Sequence, residues 1–220
     1  MYSIIKRAFD IVFSLIAIII LFPILIIISL ILLCSGENEI LYLQERMGYM
    51  NKHFKIWKFA TMLKNSPNIG TGSLTLRNDP RVTSIGKFLR ITKLNELPQL
   101  INVLFGDMSF VGPRPLMVKD FERYSISIRE KIYFAKPGIT GVGSAVFRDE
   151  ESLVSNSSVD PLEFYEKVIM PYKGSLELWY QQNISFKTDV LIIFLTAWNI
   201  IFSKSKLVYK VFKNLPTRNF

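Results

Sequence analysis

The stretch IVFSLIAIIILFPILIIISLILLC, residues 11–34, limits the folds open to this chain because it contains no charged side chain. As a helix with a rise of about 1.5 Å per residue it would be about 36 Å long, enough to cross a bilayer core of roughly 30 Å. Pro23 lies at its midpoint, with 12 residues before it and 11 after. Because proline kinks a helix, the segment can span the bilayer or turn back as a re-entrant hairpin. The residues alone leave both arrangements open.

The composition of the whole chain excludes several functional classes. The chain has 220 residues, and its 27 Lys and Arg against 18 Asp and Glu give a net charge of +9. A single cysteine cannot form an intramolecular disulfide. One cysteine and one histidine also leave no Cys/His zinc site and argue against a serine or cysteine triad. The length is typical of one domain with an appendage.

A second apolar run and a basic tail end the sequence. Residues 190–203 are free of charge over 14 positions, or about 21 Å as a helix, which indicates an interfacial or core helix rather than a span. The basic residues that follow, with no acidic one among them, are Lys204, Lys206, Lys210, Lys213 and Arg218. Interleaved with apolar residues, they predict an amphipathic segment that binds anionic membrane lipids and not nucleic acid, with a solvated tail as the alternative.

The middle of the chain contains local signals for both strands and helices. Residues 40–43 and 54–59 have the composition and period-2 alternation of strands. A helical spacing with Thr83 or Ser84 as its start is formed by Val82, Ile85, Phe88 and Leu89. Seven acidic residues within 149–180 predict a solvated helical face near residues 162–180. The fold class that we expect is therefore α/β or α+β.

The segment NELPQLINVLFG, residues 95–106, is a strong candidate for a binding site. Its apolar side chains recur at helical spacing, Asn95 is a good N-cap, and Gly106 is suited to end the helix. Glu96 suits the positive first turn of such a helix, an end that attracts phosphate as well as carboxylate. We therefore expect one compact helix with Asn95 and Glu96 at its N-terminus.

Arg114 is the second candidate, because it lies between Pro113 and Pro115. The two prolines restrict the backbone, so the guanidinium group is pre-organised to form bidentate hydrogen bonds to an oxyanion. A stiff loop with a solvated arginine explains the same spacing equally well.

These motifs, in this order, resemble those of the bacterial monotopic phosphoglycosyl transferases, and the resemblance covers nearly the whole chain. The motifs that carry it are Lys6-Arg7-x-Phe9-Asp10, Gln44-Glu45-Arg46-x-Gly48, Lys58-Phe59-x-Thr61-Met62, Asp79-Pro80-Arg81-x-Thr83, Asn95 to Leu100, Gly106-Asp107-Met108-Ser109, Val111 to Pro115, Pro137 to Gly141, and Asp189. The resemblance implies that the segment around Pro23 is a re-entrant helix hairpin. It also implies that a small helix-rich catalytic domain lies on the cytoplasmic face of the bacterial membrane.

The family resemblance implies three parts and one reaction. The parts are a re-entrant anchor (residues 1–36), a cytoplasmic catalytic domain (37–185), and an interfacial amphipathic helix with a basic tail (186–220). The reaction transfers a sugar-1-phosphate from a UDP-sugar to undecaprenyl phosphate and releases UMP, with Mg²⁺ as cofactor. It is the first membrane step of polysaccharide or glycoconjugate assembly. A homodimer is a further expectation, since short members of the family often work as dimers.

The site residues follow from the same resemblance. In the family an Asp–Glu pair provides the nucleophile that attacks phosphorus and a ligand for Mg²⁺. Asn95 occupies the Asp position here, and Glu96 is the expected Mg²⁺ ligand. Lys58 and Arg114 are expected to neutralise diphosphate oxygens, and Arg148 to contact phosphate or sugar. For Lys58, an exposed position on an edge strand is the alternative interpretation.

Asn95 puts the chemistry in question, because a neutral amide is a poor nucleophile. Four explanations stay open: an inactive variant, an engineered substitution, Glu96 as the nucleophile, or a branch that uses direct displacement. Two more departures from the family pattern, Ala60 and the segment 143–149, favour a natural sub-branch over a single substitution. The rival function is a catalytically silent member that binds nucleotide sugar or membrane as a scaffold.

Overall fold

The computed structural model describes residues 2–35, 37–66, 79–147, 153, 160–202, 205–218 and 220. Its first element is a long apolar helix, α1. The helix extends from Tyr2 to Leu33 and is, by length and composition alone, able to cross a membrane. Pro23 lies inside it, so the structure has one helix where the sequence analysis expects two arms. The re-entrant hairpin is not shown and stays a prediction.

The remaining elements mix short strands and helices, as the sequence predicts. In chain order they are β1 (Leu41–Met47), β2 (His53–Phe59), α2 (Ser84–Ile91), α3 (Gln99–Phe105), β3 (Ser109–Val111), α4 (Val118–Glu122), α5 (Ile126–Arg129), β4 (Gly138–Thr140), α6 (Val142–Val146), α7 (Pro161–Phe164), α8 (Met170–Gln182), α9 (Phe186–Ile201) and α10 (Leu207–Val211). Strands β1 and β2 form one two-stranded sheet. Strands β3 and β4 form a parallel pair, with Ser109 opposite Gly138 and Val111 opposite Thr140.

Contacts among its residues divide the chain into two units. The larger unit comprises residues 1–10, 45–54 and 106–220, and the smaller unit comprises residues 11–44 and 55–105. This division follows contacts within the fold, whereas the boundaries predicted at residues 36 and 185 concern the membrane. The three-part organisation therefore stays a prediction.

The smaller unit has an apolar core between α1, β2 and α2. Its buried members are Ile28, Leu32, Phe59 and Leu89. The predicted start of α2 is confirmed, because the Thr83 side chain accepts a hydrogen bond from the Gly86 backbone N–H at 2.9 Å. Glycine is required at position 86, since a Cβ atom there would lie 2.1 Å from the Thr61 carbonyl oxygen.

The segment around Asn95 differs from the expected helix N-terminus. Leu94–Glu96 form a 3₁₀ turn that follows Lys93 in the left-handed conformation, and α3 begins only at Gln99. Asn95 therefore does not cap an α-helix, and that prediction is wrong. Pro98, three residues after Asn95, has no N–H group to donate to an Asn95 cap, and the turns before α3 close by i→i−3 bonds such as Leu97 N–H to Leu94 O at 3.2 Å. Gly106, at φ +92°, follows the end of α3 as predicted.

The C-terminal helix and tail build the core of the larger unit. Ile192 and Leu195 of α9 are fully buried, so one face of this helix belongs to the core. Its other face exposes Val190, Phe194, Ile200 and Ile201, and the interfacial helix stays a prediction. The tail residues Val208, Phe212 and Leu215 are buried in the same core. The tail is therefore not a frayed segment, and these three side chains are not available to lipid. The exposed tail lysines among the described residues are Lys206, Lys210 and Lys213.

The acidic helix near residues 162–180 contains one residue that the prediction misplaced. The helix extends through α7, a π-helical turn at Tyr165–Ile169, and α8. Glu163 and Glu166 are exposed as expected. Glu177 is only 6% exposed, and this burial raises its pKa to about 7. Its position three residues before the buried Tyr180 places both on the inner face of the helix.

Candidate active site

Lys58 and Glu96 meet in the smaller unit, although 38 residues separate them in the sequence. The Lys58 Nζ atom lies 3.2 Å from Glu96 Oε1, and the two side chains are 18% and 25% exposed. Lys58 is next to the last residue of β2, and Glu96 ends the 3₁₀ turn. Lys58 is therefore partly buried rather than exposed, on a strand of a two-stranded sheet, and its role in binding phosphate stays a prediction.

A buried amide sets the spacing between β2 and the turn that carries Glu96. The Asn102 side chain of α3 accepts a hydrogen bond from Trp57 N–H at 2.9 Å and donates one to the Lys55 carbonyl at 2.8 Å. Asn102 is fully buried, so these two bonds attach α3 firmly to the backbone beside Lys58. Asn95, in the same turn as Glu96, is 8% exposed.

Arg90 is a site residue that sequence reasoning missed. It lies in the last turn of α2, and its Nε donates to the Thr61 hydroxyl at 2.9 Å. Burial lowers the pKa of Arg90, while the nearby charges of Asp79 and Glu96 favour its charged form. Arg90 lies four residues after Gly86, so the two residues share one face of α2, and Gly86 packs on Thr61. This spacing was the signal in the sequence that could have placed Arg90 near Thr61.

Asp79 and Arg81 form a structural brace beside this site. Arg81 donates from Nη2 to Asp79 Oδ2 at 2.6 Å and from Nε to Asp79 Oδ1 at 2.9 Å. The two side chains are only 3% and 4% exposed, and Arg81 also bonds the Ser66 carbonyl at 3.3 Å. Arg81 is therefore held in a buried ion pair rather than offered as a cation to a ligand.

Arg114 belongs to the larger unit, where its backbone is held and its side chain is exposed. The Tyr133 hydroxyl donates to the Arg114 carbonyl at 2.7 Å and accepts from Leu116 N–H at 2.8 Å. Arg46 Nη1 donates to the Pro115 carbonyl at 3.2 Å. The loop is thus fixed by buried partners as well as by its prolines. Arg148, the remaining predicted contact, lies outside the described residues.

The sequence also matches a known family over most of its length. The profile described as "Bacterial sugar transferase" matches residues 1–203. The chain belongs to this family. The motifs that carried the resemblance, from Lys6 to Asp189, all lie within the matched range.

Several relatives of this bacterial sugar transferase are named for undecaprenyl-phosphate sugar-phosphate transfer. The UDP-glucose:undecaprenyl-phosphate glucose-1-phosphate transferase of Klebsiella pneumoniae is 38% identical over 208 residues, covering 91% of this chain and 41% of the relative. The protein of the same name in Escherichia coli K12 is 37% identical over 206 residues, which cover 91% of this chain and 41% of the relative. Exopolysaccharide production protein ExoY of Sinorhizobium fredii is 30% identical over 213 residues, covering 90% and 86%. This chain thus spans about two fifths of the first two relatives.

Two motifs of the bacterial sugar transferase resemblance meet around one carboxylate of the larger unit. Asp189 in α9 is 4% exposed and accepts hydrogen bonds from three side chains. The donors are the Tyr2 hydroxyl at 2.6 Å, Lys6 Nζ at 2.6 Å and the Tyr180 hydroxyl at 2.7 Å. Asp189 therefore joins the first turns of α1 to the terminal helices, a structural role.

Proposed function

We propose that this chain transfers a sugar-1-phosphate from a UDP-sugar to undecaprenyl phosphate and releases UMP, as the first membrane step of glycan assembly. The observation that carries the proposal is the 3.2 Å approach of Lys58 to Glu96, beside Asn95, in a member of the bacterial sugar transferase family. The names of the relatives state this kind of reaction for those proteins. The sugar stays open, because other relatives are named for galactose and N-acetylgalactosamine.

The cations of the site would supply the charge that a diphosphate needs. Lys58 and Arg90 lie in the smaller unit, and both are within the electrostatic range of Glu96. When a diphosphate binds, the Lys58 ammonium would exchange Glu96 for a phosphate oxygen. Arg114 and Arg148 are the further phosphate contacts in the proposal. Positioned cations of this kind stabilise the charge that develops on phosphate oxygens in the transition state.

Mg²⁺ is the proposed cofactor, and Glu96 is its proposed protein ligand. Among the described residues, no group of three or more His, Cys, Asp and Glu side chains lies close enough to form a metal cage. One carboxylate still fits Mg²⁺, because this ion keeps several waters and often binds one or two carboxylates together with substrate phosphates. When bound, the ion would neutralise diphosphate charge, and Glu96 would be the side chain that holds it.

A catalytically silent scaffold is the second candidate, and Asn95 is the observation that favours it. The amide is buried in the turn that carries Glu96, where the family has its nucleophile. Such a member would still bind a nucleotide sugar through Lys58, Arg90 and Glu96. It would not release UMP, because no side chain would accept the phospho-sugar.

Replacing Glu96 by glutamine tests the proposed site. With UDP-sugars, undecaprenyl phosphate and Mg²⁺, we expect UMP release by the wild type and a loss of at least about a hundredfold in Glu96→Gln. The amide keeps the shape of the side chain but loses the charge that attracts Mg²⁺. Chelation of Mg²⁺ with EDTA should stop the wild-type reaction.

The matched control for this experiment is Glu163→Gln, which removes a carboxylate from an exposed pair with Lys167. It should release UMP at the wild-type rate. Equal rates in Glu96→Gln and the wild type would contradict the metal assignment. If no UDP-sugar gives turnover but UDP still binds, the scaffold is the correct function.

The proposed location is monotopic, on the cytoplasmic face of the bacterial inner membrane, with a re-entrant anchor around Pro23. Support comes from the length and apolar composition of α1 and from the position of Pro23 at the midpoint of the charge-free residues 11–34. The basic tail lysines would lie against anionic lipid heads. The proposed homodimer would leave this arrangement unchanged.

Cys34, the single cysteine, makes the anchor testable, because it is exposed one residue after α1 ends. In a re-entrant anchor both helix ends face the cytoplasm. We therefore expect a membrane-impermeant maleimide to leave Cys34 unlabelled in intact spheroplasts and to label it after lysis. The control is Ser3→Cys in a Cys34→Ser background, which reports the other end of the helix. Labelling of one end only, in intact spheroplasts, would mean that α1 spans the membrane.

A further inference from the structure

Glu177 is a buried carboxyl group in the larger unit with an incomplete set of partners. Its Oε1 atom accepts a hydrogen bond, at the long distance of 3.5 Å, from the Arg114 backbone N–H. A Cβ atom on Gly143 would lie 3.3 Å from the same oxygen, so the α6 backbone is close on that side. Oε2 is buried without a hydrogen-bond partner among the described residues. Only 6% of Glu177 is exposed.

The Arg114 peptide is held on both sides by these buried groups. Glu177 accepts from its N–H, and the Tyr133 hydroxyl donates to its carbonyl oxygen at 2.7 Å. The Arg114 side chain, by contrast, is exposed. This arrangement fixes the direction in which the guanidinium group leaves the loop, while its five donors stay available to an anion.

Stability does not explain a carboxyl group at this position. Burial raises the pKa of Glu177 to about 7, opposed by the Arg114 N–H and by the charges of Lys173 and Arg114. A raised pKa means that the folded state binds the proton more tightly, so stability falls as pH rises from the ordinary pKa of 4.5 towards 7. A buried, incompletely paired charge is costly, and an apolar residue of similar size is often more stabilising.

We propose that Glu177 is a positioning residue that holds the Arg114 backbone so that its guanidinium group can bind the diphosphate of a nucleotide sugar. This inference rests on the proposed function, because it assumes that Arg114 contacts the diphosphate. Glu177 itself acts only through Arg114. The acceptor oxygen of its side chain is then a requirement of the binding loop and not of the fold.

The test compares four variants of the full chain in detergent: Glu177→Leu, Glu177→Gln, Arg114→Ala and the double variant Glu177→Leu/Arg114→Ala. The probe is uridine diphosphate with Mg²⁺, and the readout is its Kd from titration calorimetry. We expect Arg114→Ala to weaken binding about tenfold or more, the size of a charge-assisted hydrogen bond. Glu177→Leu should weaken binding by a similar factor, and the double variant by no more than Arg114→Ala alone. Glu177→Gln keeps an acceptor oxygen and should bind almost as well as the wild type.

Thermal unfolding separates this role from a structural one. At pH 8, Glu177→Leu should unfold at the same or a higher temperature than the wild type, because it removes a buried charge. Weaker binding by a protein that is no less stable supports positioning. Wild-type binding by Glu177→Leu or Arg114→Ala, or effects that multiply in the double variant, would overturn the inference while leaving the proposed function intact. If the wild type does not bind uridine diphosphate, both proposals fall.

Discussion

Replacing Asn95 by aspartate is expected to raise the rate of UMP release by at least about a hundredfold, the scale on which a covalent nucleophile changes a displacement. The nitrogen lone pair of an amide is delocalised, and its oxygen carries no full charge. A carboxylate at the same place attacks phosphorus, forms an acyl phosphate and displaces UMP. The second step passes the phospho-sugar to the lipid phosphate and regenerates the carboxylate.

The surroundings of Asn95 are suited to accept this change. The side chain is 8% exposed, and aspartate has almost the same shape as asparagine, so the turn at Leu94–Glu96 should persist. A second carboxylate beside Glu96 would on its own raise the pKa of both groups. Lys58, at 3.2 Å from Glu96, and the nearby Arg90 supply positive charge that counters this effect.

The measurement combines UMP release with intact-protein mass spectrometry. With a UDP-sugar and Mg²⁺ but no lipid acceptor, Asn95→Asp should accumulate a covalent phospho-sugar adduct, and the wild type should not. Asn95→Ala is the control, because it removes the amide without adding a nucleophile. Rapid wild-type turnover that persists in Asn95→Ala would instead indicate direct displacement or attack by Glu96. An Asn95→Asp chain with neither adduct nor faster release would refute position 95 as the nucleophile position.

Local signals in the sequence were enough to predict the elements that surround the site. Thr83 caps α2 and Gly106 follows the end of α3, because capping and glycine conformation depend on a few adjacent residues. The turn at Leu94–Glu96 was predicted wrongly, because the apolar spacing of residues 97–104 is helical while Pro98 has no N–H group to donate to an Asn95 cap. The family resemblance assigned Lys58 and Glu96 to one site, but their ion pair was not predicted, since no local pattern joins residues 38 positions apart.

Burial was the property that local patterns did not predict. Glu177 lies in an acid-rich segment whose members Asp160, Glu163 and Glu166 are exposed, yet it shares the inner face of α8 with Gly174 and Tyr180. Phe212 lies in a basic tail that looks solvated, yet its ring packs on Trp179 at a centroid distance of 5.0 Å. Both outcomes depend on which surface another part of the chain covers, which is decided by long-range packing.

Removing the charge of Asp189 is expected to destabilise the larger unit strongly. Asp189→Asn leaves the Lys6 ammonium, 15% exposed, without its carboxylate at 2.6 Å. It also leaves an amide where the Tyr2 and Tyr180 hydroxyls now donate to a carboxylate. Breaking a buried pair by removing one partner costs about 3–5 kcal/mol, because the remaining charge stays desolvated. For a chain of this size that corresponds to a fall in Tm of about 6–20 °C.

The matched control is again Glu163→Gln, because the Lys167–Glu163 pair has the same 2.6 Å distance but lies at the surface, with side chains 73% and 52% exposed. Water already solvates both of its groups, so we expect little or no change in Tm. Unfolding would be followed in detergent by the fluorescence of tryptophan, since Trp179 is buried next to Tyr180. Because the N–O distance is the same in the two pairs, a larger loss at Asp189 would reflect its burial together with its hydrogen bonds to Tyr2 and Tyr180.

A second change separates the charge pair from the packing around it. Lys6→Met removes the cation that Asp189→Asn would leave unpaired, so the double variant should be more stable than the sum of the two single losses predicts. The recovery should be incomplete, because Lys6 Nζ also donates to the Val111 carbonyl at 3.0 Å, and methionine cannot replace that bond. Strictly additive losses would mean that the ammonium and the carboxylate stabilise the unit independently. The role of Asp189 would then rest on its hydrogen bonds to Tyr2 and Tyr180, and not on the ion pair.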